Sequence, residues 1–331
     1  MPDPVDLEGL LDLATPWCLR VVVTLHVAEH LTAEGKSVNQ LATAVGCDAA
    51  ALQDVLSHLA SKGVFAEPEP GVFALNDAAE RLRDQAAYLD LEGLGGRLAA
   101  AWSTLPVYVR TGRPGYEGLF GRPFWEDLAA HPKLSADFDA MMGPAGHGVP
   151  DEIELSTGWD VVRTVVDVGG GTGAMLARLL ELHPHLKATL VDLPATVARA
   201  DLEGAEKVGQ SFFEPLPAGA DVYLLRHVLN DWPDAETVAI LRRCAEAAGD
   251  TGRVVVAGGV VRTSVGRELT PEAVLLGGRS NTVAEFRQLA RQAGLEVVAV
   301  NADASAVECV AISREASAPS APGRDRAGRR G

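Results

Sequence analysis

Two stretches of this 331-residue chain hold residues whose types and spacing could do chemistry. DVGGGTG, Asp167 to Gly173, closes a β-branched run and opens a helical one. Glycines let backbone approach a ligand closely, and the first turn of a helix offers N–H groups without intrahelical partners. Such a loop seats the pyrophosphate of a dinucleotide or, in its other common use, the amino-acid end and ribose of an adenosylmethionine. An acid roughly twenty positions further on can bind ribose hydroxyls in either case, and Asp192 in TLVDLP has that spacing. The second stretch, RHVLNDWPD from Arg226 to Asp234, reads as a strand end entering a polar turn. Asn230 stands there where proton transfer would favour a histidine, and an amide is no general base near neutral pH.

The elements that must position these residues follow from the pattern beyond Trp159. Short β-branched runs alternate with helical ones: VVRTVVDV, AMLARLLELH, KATLVDLP, DVYLLRHVL, TVAILRRCAEAAG and RVVVAGGVV, then EFRQLARQAG, EVVAVNA and AVECVAISR. The alternation predicts an α/β fold, with a C-terminal doubly wound, Rossmann-like sheet domain over residues 146–314. Residues 315–331 are Ser/Ala/Pro-rich and then Gly/Arg-rich, which predicts a disordered tail.

Residues 1–145 read as a mostly helical domain. LLDLATPWCLRVVVTLHVAEHL has helical apolar spacing. A capped helix from Ser37, a turn at Gly46, a second helix from Asp48 stopped at Gly63, and a hairpin of VFAEP and GVFAL follow in winged-helix order. The second helix carries Asp48 and Asp54 against a single Lys62. A helix that reads DNA needs basic and amide side chains, so the module reads as a dimerisation domain. Residues 86–143 are helical again, with Trp102, Trp125, Phe138, Met141 and Met142 as candidates to cover a substrate; ordinary core packing is the competing reading for each. GPAGHGVPDEIELSTG reads as a hinge.

Composition narrows the function class. The chain is 47% hydrophobic with mean hydropathy +0.09, a formal net charge of −16 and a pI near 4.9. An acidic chain lacks the basic footprint that nucleic acid or an anionic membrane surface requires. Four dispersed cysteines form no CxxC pair, and Cys18, Cys244 and Cys309 fall in apolar segments as expected of buried thiols in a cytoplasmic protein. No export signal or bilayer-length apolar run is read. No set of His, Cys and acidic residues has metal-site spacing.

With these pieces in place the chain resembles the S-adenosylmethionine-dependent small-molecule O-methyltransferases, and among them the bacterial group that tailors aromatic polyketides. The matching pieces are LLDLATPWCLRVVVTLHVAEHL, GRPFWEDL, VVDVGGGTG, LVDLP, GQSFFEPLP, LLRHVLNDWPD, AILRRCAEA and GGRSNTVAEF, over about residues 10–312. The resemblance implies S-adenosyl-L-methionine as cofactor, an aromatic small-molecule substrate, and a homodimer formed through the N-terminal domain. It implies that Asp167, Gly169 and Gly171 meet the methionine part of the cofactor, and that Asp192, with Leu193 beside it, takes the ribose hydroxyls. Ser211 and Phe212 would meet the adenine, Ser211 replacing the family's usual acid. Arg226 would reach the cofactor and Trp232 would wall the site.

The resemblance also exposes a gap. In plant-type members a His in an HDW triplet deprotonates the substrate and two Glu residues orient it. Asn230 replaces that His, and Gly258 and Ser280 align with the glutamates. A phenol of pKa near 10 is ionised to about one part in a thousand at pH 7, roughly 4 kcal/mol of barrier. A positioned base is worth about 10²- to 10⁴-fold, and in-line placement about 7–11 kcal/mol. Three routes remain: a substrate already ionised, transfer by proximity with Asn230 holding the acceptor, or another histidine. His147 in the hinge is the expected substitute. His227 is expected on the opposite face of its strand, and His58 on a helix surface. A tailoring reaction other than methylation, hydroxylation or decarboxylation, is the alternative activity. A regulator built on a decayed enzyme domain fits the acidic chain poorly.

Overall fold

Alternating strands and helices place five strands parallel in one sheet, with helices Ala174–Leu182, Pro194–Val197 and Asp234–Ala248 in the connections after the first, second and fourth of them. The computed structural model describes residues 5–142, 153–263, 269–301 and 305–312. So far as they are described, the residues form two compact units. One takes the chain up to Val149 together with Glu268–Gly278; the other takes Pro150–Arg267 together with Arg279 onward.

The first unit begins with the winged-helix order. Ser37 and Gln40 form a reciprocal capping box on helix Val38–Val45, and Gly46, at φ 72°, ends it in the left-handed conformation. Asp48 caps helix Ala49–Ser61 by accepting from the Ala51 N–H. Strand β1 (Lys36–Ser37) pairs with β3 (Val72–Ala74), which pairs with β2 (Ala66–Glu69). Leu41, Leu52, Leu56, Leu59, Phe65 and Phe73 fill the core between them. His58 is engaged, its Nε2 lying 2.8 Å from Thr15 Oγ1. The helices of residues 94–142 share a second core with Val274 and Leu275 from the short helix Pro271–Leu275. No periodicity in the sequence marks that return.

The exposed apolar residues of this unit gather at its amino-terminal start. Val22, Val23, Val27, Ala28 and Leu31 are buried in their own unit, while Leu7, Leu10, Leu11, Leu13 and Trp17 are exposed. Cys18 is only half-buried, since helix Ala14–Thr24 buries just Val22 and Val23.

In the second unit, seven strands run in the order β11-β12-β8-β7-β4-β5-β6. They are β4 (Thr164–Val168), β5 (Lys187–Asp192), β6 (Ala205–Gly209), β7 (Val222–Arg226), β8 (Arg253–Ala257), β11 (Leu295–Val300) and β12 (Ala306–Ala311). β6 to β8 are parallel; β12 runs antiparallel to β8 and to β11. β9 (Val260–Val261) and β10 (Asn281–Thr282) make a separate parallel pair. The central strands β4, β7 and β8 read as near-continuous apolar runs because both sheet faces are covered there, whereas the edge strand β6 does not. Helices Asp234–Ala248 and Val283–Gln292 cover one face with Ile240, Leu241, Cys244, Phe286 and Leu289. Cys244 and Cys309 are buried, and burial pushes both thiols up, Cys309 to about 12. β4 is the switch point: strand order runs outward from it through β5 on one side and β7 on the other. Ligands of open α/β sheets bind at the carboxyl ends of strands beside that point.

Candidate active site

The glycine loop grows directly from β4. Gly169 N–H donates to Val191 O at 2.8 Å, fastening the loop to the neighbouring strand. A Cβ at Gly170 would lie 2.5 Å from Asp167 Oδ2, so only glycine fits above the buried carboxyl. Gly171, at φ 61°, is different: a Cβ there would meet nothing within 4 Å. The loop therefore presents bare backbone to open space, in a left-handed turn that L-residues avoid. Helix Ala174–Leu182 follows at once.

Two carboxyls flank the loop in opposite states. Asp192, at the end of β5, accepts from Gly171 N–H at 2.8 Å and from Leu193 N–H at 2.7 Å. Its carboxylate is held by charge-assisted bonds to backbone that cannot move away. Asp167 is fully buried, and neither of its oxygens has a hydrogen-bond partner among the described residues. Burial, and then the negative charge of Asp192, push its carboxyl up to about 7, while Arg226 draws it the other way. Burial also lowers the pKa of Arg226, which ends β7. A buried acid with two unused acceptors is costly unless a donor comes to it. A cationic amino group laid in the open space over Gly171 is such a donor. The donor set fits the methionine end of adenosylmethionine, with Asp192 at the place for a diol.

An aromatic wall stands beside this corner. Gln210 N–H is tied to Asp192 O at 2.9 Å, so the SFF segment leaves β6 next to Asp192. Ser211 Oγ accepts from Phe213 N–H at 3.2 Å. The Phe212 ring packs against Gly169, where a Cβ would come within 3.3 Å of it. Phe212 and Phe213 meet Trp232 edge-on at 5.7 and 5.0 Å. The sequence-derived set Asp167, Gly169, Gly171, Asp192, Leu193, Ser211, Phe212 and Arg226 is thus assembled at the carboxyl ends of β4, β5, β6 and β7.

The second stretch lies at the same sheet edge. Asn230 sits in the 3₁₀ turn Leu229–Asp231. Its Nδ2 donates to Asp231 Oδ1 at 3.0 Å, which fixes the amide's orientation because a carboxylate only accepts. Its Oδ1 is buried and has no hydrogen-bond partner among the described residues. His227 departs from the expected strand geometry. β7 stops at Arg226, and His227 takes φ 52° with its N–H on Ala257 O at 2.9 Å. The strand alternation that would turn it to the opposite face ends one residue before it. His147 lies outside the described residues.

Asn281 was not singled out by sequence reasoning. It is 3% exposed, its N–H donates to Gly259 O at 2.8 Å, and its Oδ1 has no partner among the described residues. It follows Ser280 directly and precedes the Thr282–Glu285 capping box, the one local signal that could have drawn attention to it.

The proposed substrate residues belong to the first unit. Phe138 makes edge contacts with Phe124 and Trp125, and Met141 is buried in the same core, with Met142 packed against it. Trp102 is 37% exposed and stands outside that core. Asp127 is the polar centre there, 1% exposed, accepting from Tyr116 Oη at 2.6 Å and paired with Arg97 at 3.3 Å. No group of three or more His, Cys, Asp or Glu among the described residues could hold a metal.

Comparison with known proteins agrees with this geometry. Residues 102–296 match the O-methyltransferase domain and residues 8–84 the O-methyltransferase dimerisation domain. The chain belongs to the S-adenosylmethionine-dependent O-methyltransferases. This O-methyltransferase is 41% identical to the 2,7-dihydroxy-5-methyl-1-naphthoate 7-O-methyltransferase of Streptomyces carzinostaticus, over 90% of the chain and 94% of that protein. It is 36% identical to the aclacinomycin 10-hydroxylase of Streptomyces purpurascens, over 97% of the chain and 94% of that protein. An O-methyltransferase from neocarzinostatin biosynthesis, crystallised with S-adenosylmethionine and 2-hydroxy-5-methyl naphthoic acid, superposes with TM-score 0.85 at 38% identity, covering 94% of this chain and all of that one. The family's cofactor accords with the unpartnered Asp167 and the open glycine loop.

Proposed function

We propose that this O-methyltransferase methylates a hydroxyl or carboxylate of an aromatic polyketide-type compound, and that residue 230 holds the acceptor rather than deprotonating it. The observation that carries the reading is the Asn230 amide: Asp231 fixes its direction, and its carbonyl oxygen is left for a substrate hydroxyl to donate to. Asp167 and the loop would hold the amino end of the cofactor, Asp192 its ribose, and Ser211 with Phe212 its adenine. The cofactor, when bound, supplies a methyl group on a positively charged sulfur. The chain then contributes placement, which is worth about 7–11 kcal/mol when reacting atoms are held in line. The naphthoate specificity of a 41% identical relative supports the substrate class. The exposed Leu10, Leu11, Leu13 and Trp17 in the dimerisation region support a homodimer.

A single experiment tests the reading. The purified protein is titrated calorimetrically with S-adenosylhomocysteine, with NADH as control, and then assayed by mass with a dihydroxynaphthoate acceptor. Nucleoside binding without NADH binding, and a product heavier by one methylene, are expected. The 36% identity to a hydroxylase over nearly the whole chain favours a second reading, in which the bound cofactor supports a reaction without methylation. Cofactor-dependent product without the added methylene would establish it.

A further inference from the structure

We propose that the helical unit holds a second ligand site, for an aromatic monocarboxylate, in the cleft between helix Leu94–Trp102 and the junction of helices Phe124–Ala130 and Pro132–Met142. The site rests on its own lining residues and not on the methyl-transfer reading above. The cleft measures about 570 Å³, within the roughly 300–1,000 Å³ of small-molecule sites. Every residue that lines it belongs to the first unit, whereas the glycine loop, Asp192 and Asn230 belong to the second. Leu91, Ala100, Phe120, Pro132 and Leu134 give it apolar walls, and Arg97 and His131 give it polar atoms.

Arg97 is held as such a ligand requires. Its Nε lies 3.3 Å from Asp127 Oδ2, and its guanidinium carbon stands 4.1 Å from the centroid of the Phe120 ring. The ion pair and the ring together set the guanidinium in place. Its Nη1 and Nη2 have no hydrogen-bond partner among the described residues, and that pair of N–H groups matches the two oxygens of a carboxylate. Gly96 and Ala100, which line the cleft beside Arg97, are too small to cover it. Asp127 is already engaged: it accepts from Tyr116 Oη at 2.6 Å, and its Oδ1 lies 3.1 Å from His131 Nδ1. The same nitrogen lies 2.8 Å from Asp127 O. Both neighbours only accept, so Nδ1 carries the ring proton, and Nε2 of the neutral imidazole is left to accept from a ring hydroxyl of the ligand. Lys133 is paired with Asp137 at 3.1 Å, and Glu92 is exposed. With Arg97 balanced by Asp127 and Lys133 by Asp137, Glu92 leaves the cleft without a positive excess. Such a site suits one carboxylate met by directed donors and disfavours a dianion such as a phosphate monoester.

The test uses the full-length protein and a diazirine-bearing naphthoate, with the labelled peptides identified by mass. Label is expected in residues 91–100 and 130–134, with or without S-adenosylhomocysteine. The probe concentration that half-saturates labelling of these segments gives the affinity of this site apart from any other. Arg97→Lys keeps the charge but loses the paired N–H groups, and should weaken the site by about 10- to 100-fold. Ala100→Phe fills the cleft while leaving the Arg97–Asp127 pair intact, and should abolish labelling there; it carries the test if Arg97→Lys fails to fold. As competitors of labelling, naphthalenemethanol and naphthyl phosphate should each be at least about tenfold weaker than naphthoate. Label absent from both segments, labelling unchanged in either folded variant, or a competitor that matches naphthoate overturns the proposal. Failure of S-adenosylhomocysteine to bind would overturn the methyl-transfer reading and leave this site standing.

Discussion

The end of β4 and the end of β7 lie on adjacent strands and are built on opposite principles. At the glycine loop the binding groups are mostly backbone, and Asp192 is locked by Gly171 and Leu193 N–H groups before any ligand arrives. At the 226–231 turn the groups are side chains on irregular backbone, with a left-handed His227 and an Asn230 oxygen that has no partner among the described residues. The first corner offers backbone already fixed by hydrogen bonds, the second side chains set on irregular backbone; under the proposed reading the first serves cofactor affinity and the second the acceptor. A methyltransferase and a hydroxylase that both resemble this chain over almost its whole length are consistent with that division.

The sharpest break of the comparison is at the loop. Asp192→Ala removes the acceptor of two backbone N–H groups and, under the proposed reading, the diol contact, and should weaken S-adenosylhomocysteine binding by about 100-fold or more, at roughly 1.5–3 kcal/mol per charged hydrogen bond. Calorimetry reads this directly; near-parental affinity would mean that the ribose lies elsewhere. Asp167→Asn probes the same corner through pH. The folded acid titrates near 7, above the ordinary carboxylate range near 4. Between those values the folded state keeps a proton that the unfolded chain has released. Stability therefore falls as pH rises through the window and is lowest above it. Asp167→Asn should accordingly gain on the parent by a few kcal/mol between pH 5 and pH 8, at about 1.36 kcal/mol per unit of pKa shift. Urea unfolding of the cofactor-free protein at both pH values measures the difference, and a constant difference would refute the shift.

Smaller effects separate the second corner from the first. Asn230→Ala should lower kcat about tenfold, the worth of one hydrogen bond of about 1.4 kcal/mol, with S-adenosylhomocysteine affinity unchanged. A change in cofactor affinity would place Asn230 in the loop's network instead. The least effect is expected from Thr282→Ala. It breaks the capping box with Glu285 and should cost about 1 kcal/mol in unfolding with little change in binding.

The same contrast explains what was legible in the sequence. The parallel sheet, the glycine loop and Asp192 can be read because period, glycine spacing and strand ends repeat a general physical solution. The winged helix can be read because Ser37, Gly46 and Asp48 cap and stop helices by short-range chemistry. The alternation argument does not reach His227, because β7 ends at Arg226 and nothing in RHVLN announces a φ of 52°. Asn281 was passed over because its burial depends on β10 pairing with β9, a contact across twenty-one positions of chain. The helix Pro271–Leu275 could not be assigned to the first unit for a similar reason: its partners are more than a hundred residues upstream.

That last feature reaches into how the protein is made. Val274 and Leu275 complete a core whose other members end at Met141. A nascent chain emerges amino end first, at about 5–20 residues per second. The N-terminal module must therefore wait on the order of ten seconds, with an unfilled hydrophobic gap, while the strands and helices between are synthesised. Truncation after residue 142 would make that wait permanent, so the amino-terminal half is a poor candidate for expression by itself and a natural client for whatever shields unfinished chains on the ribosome.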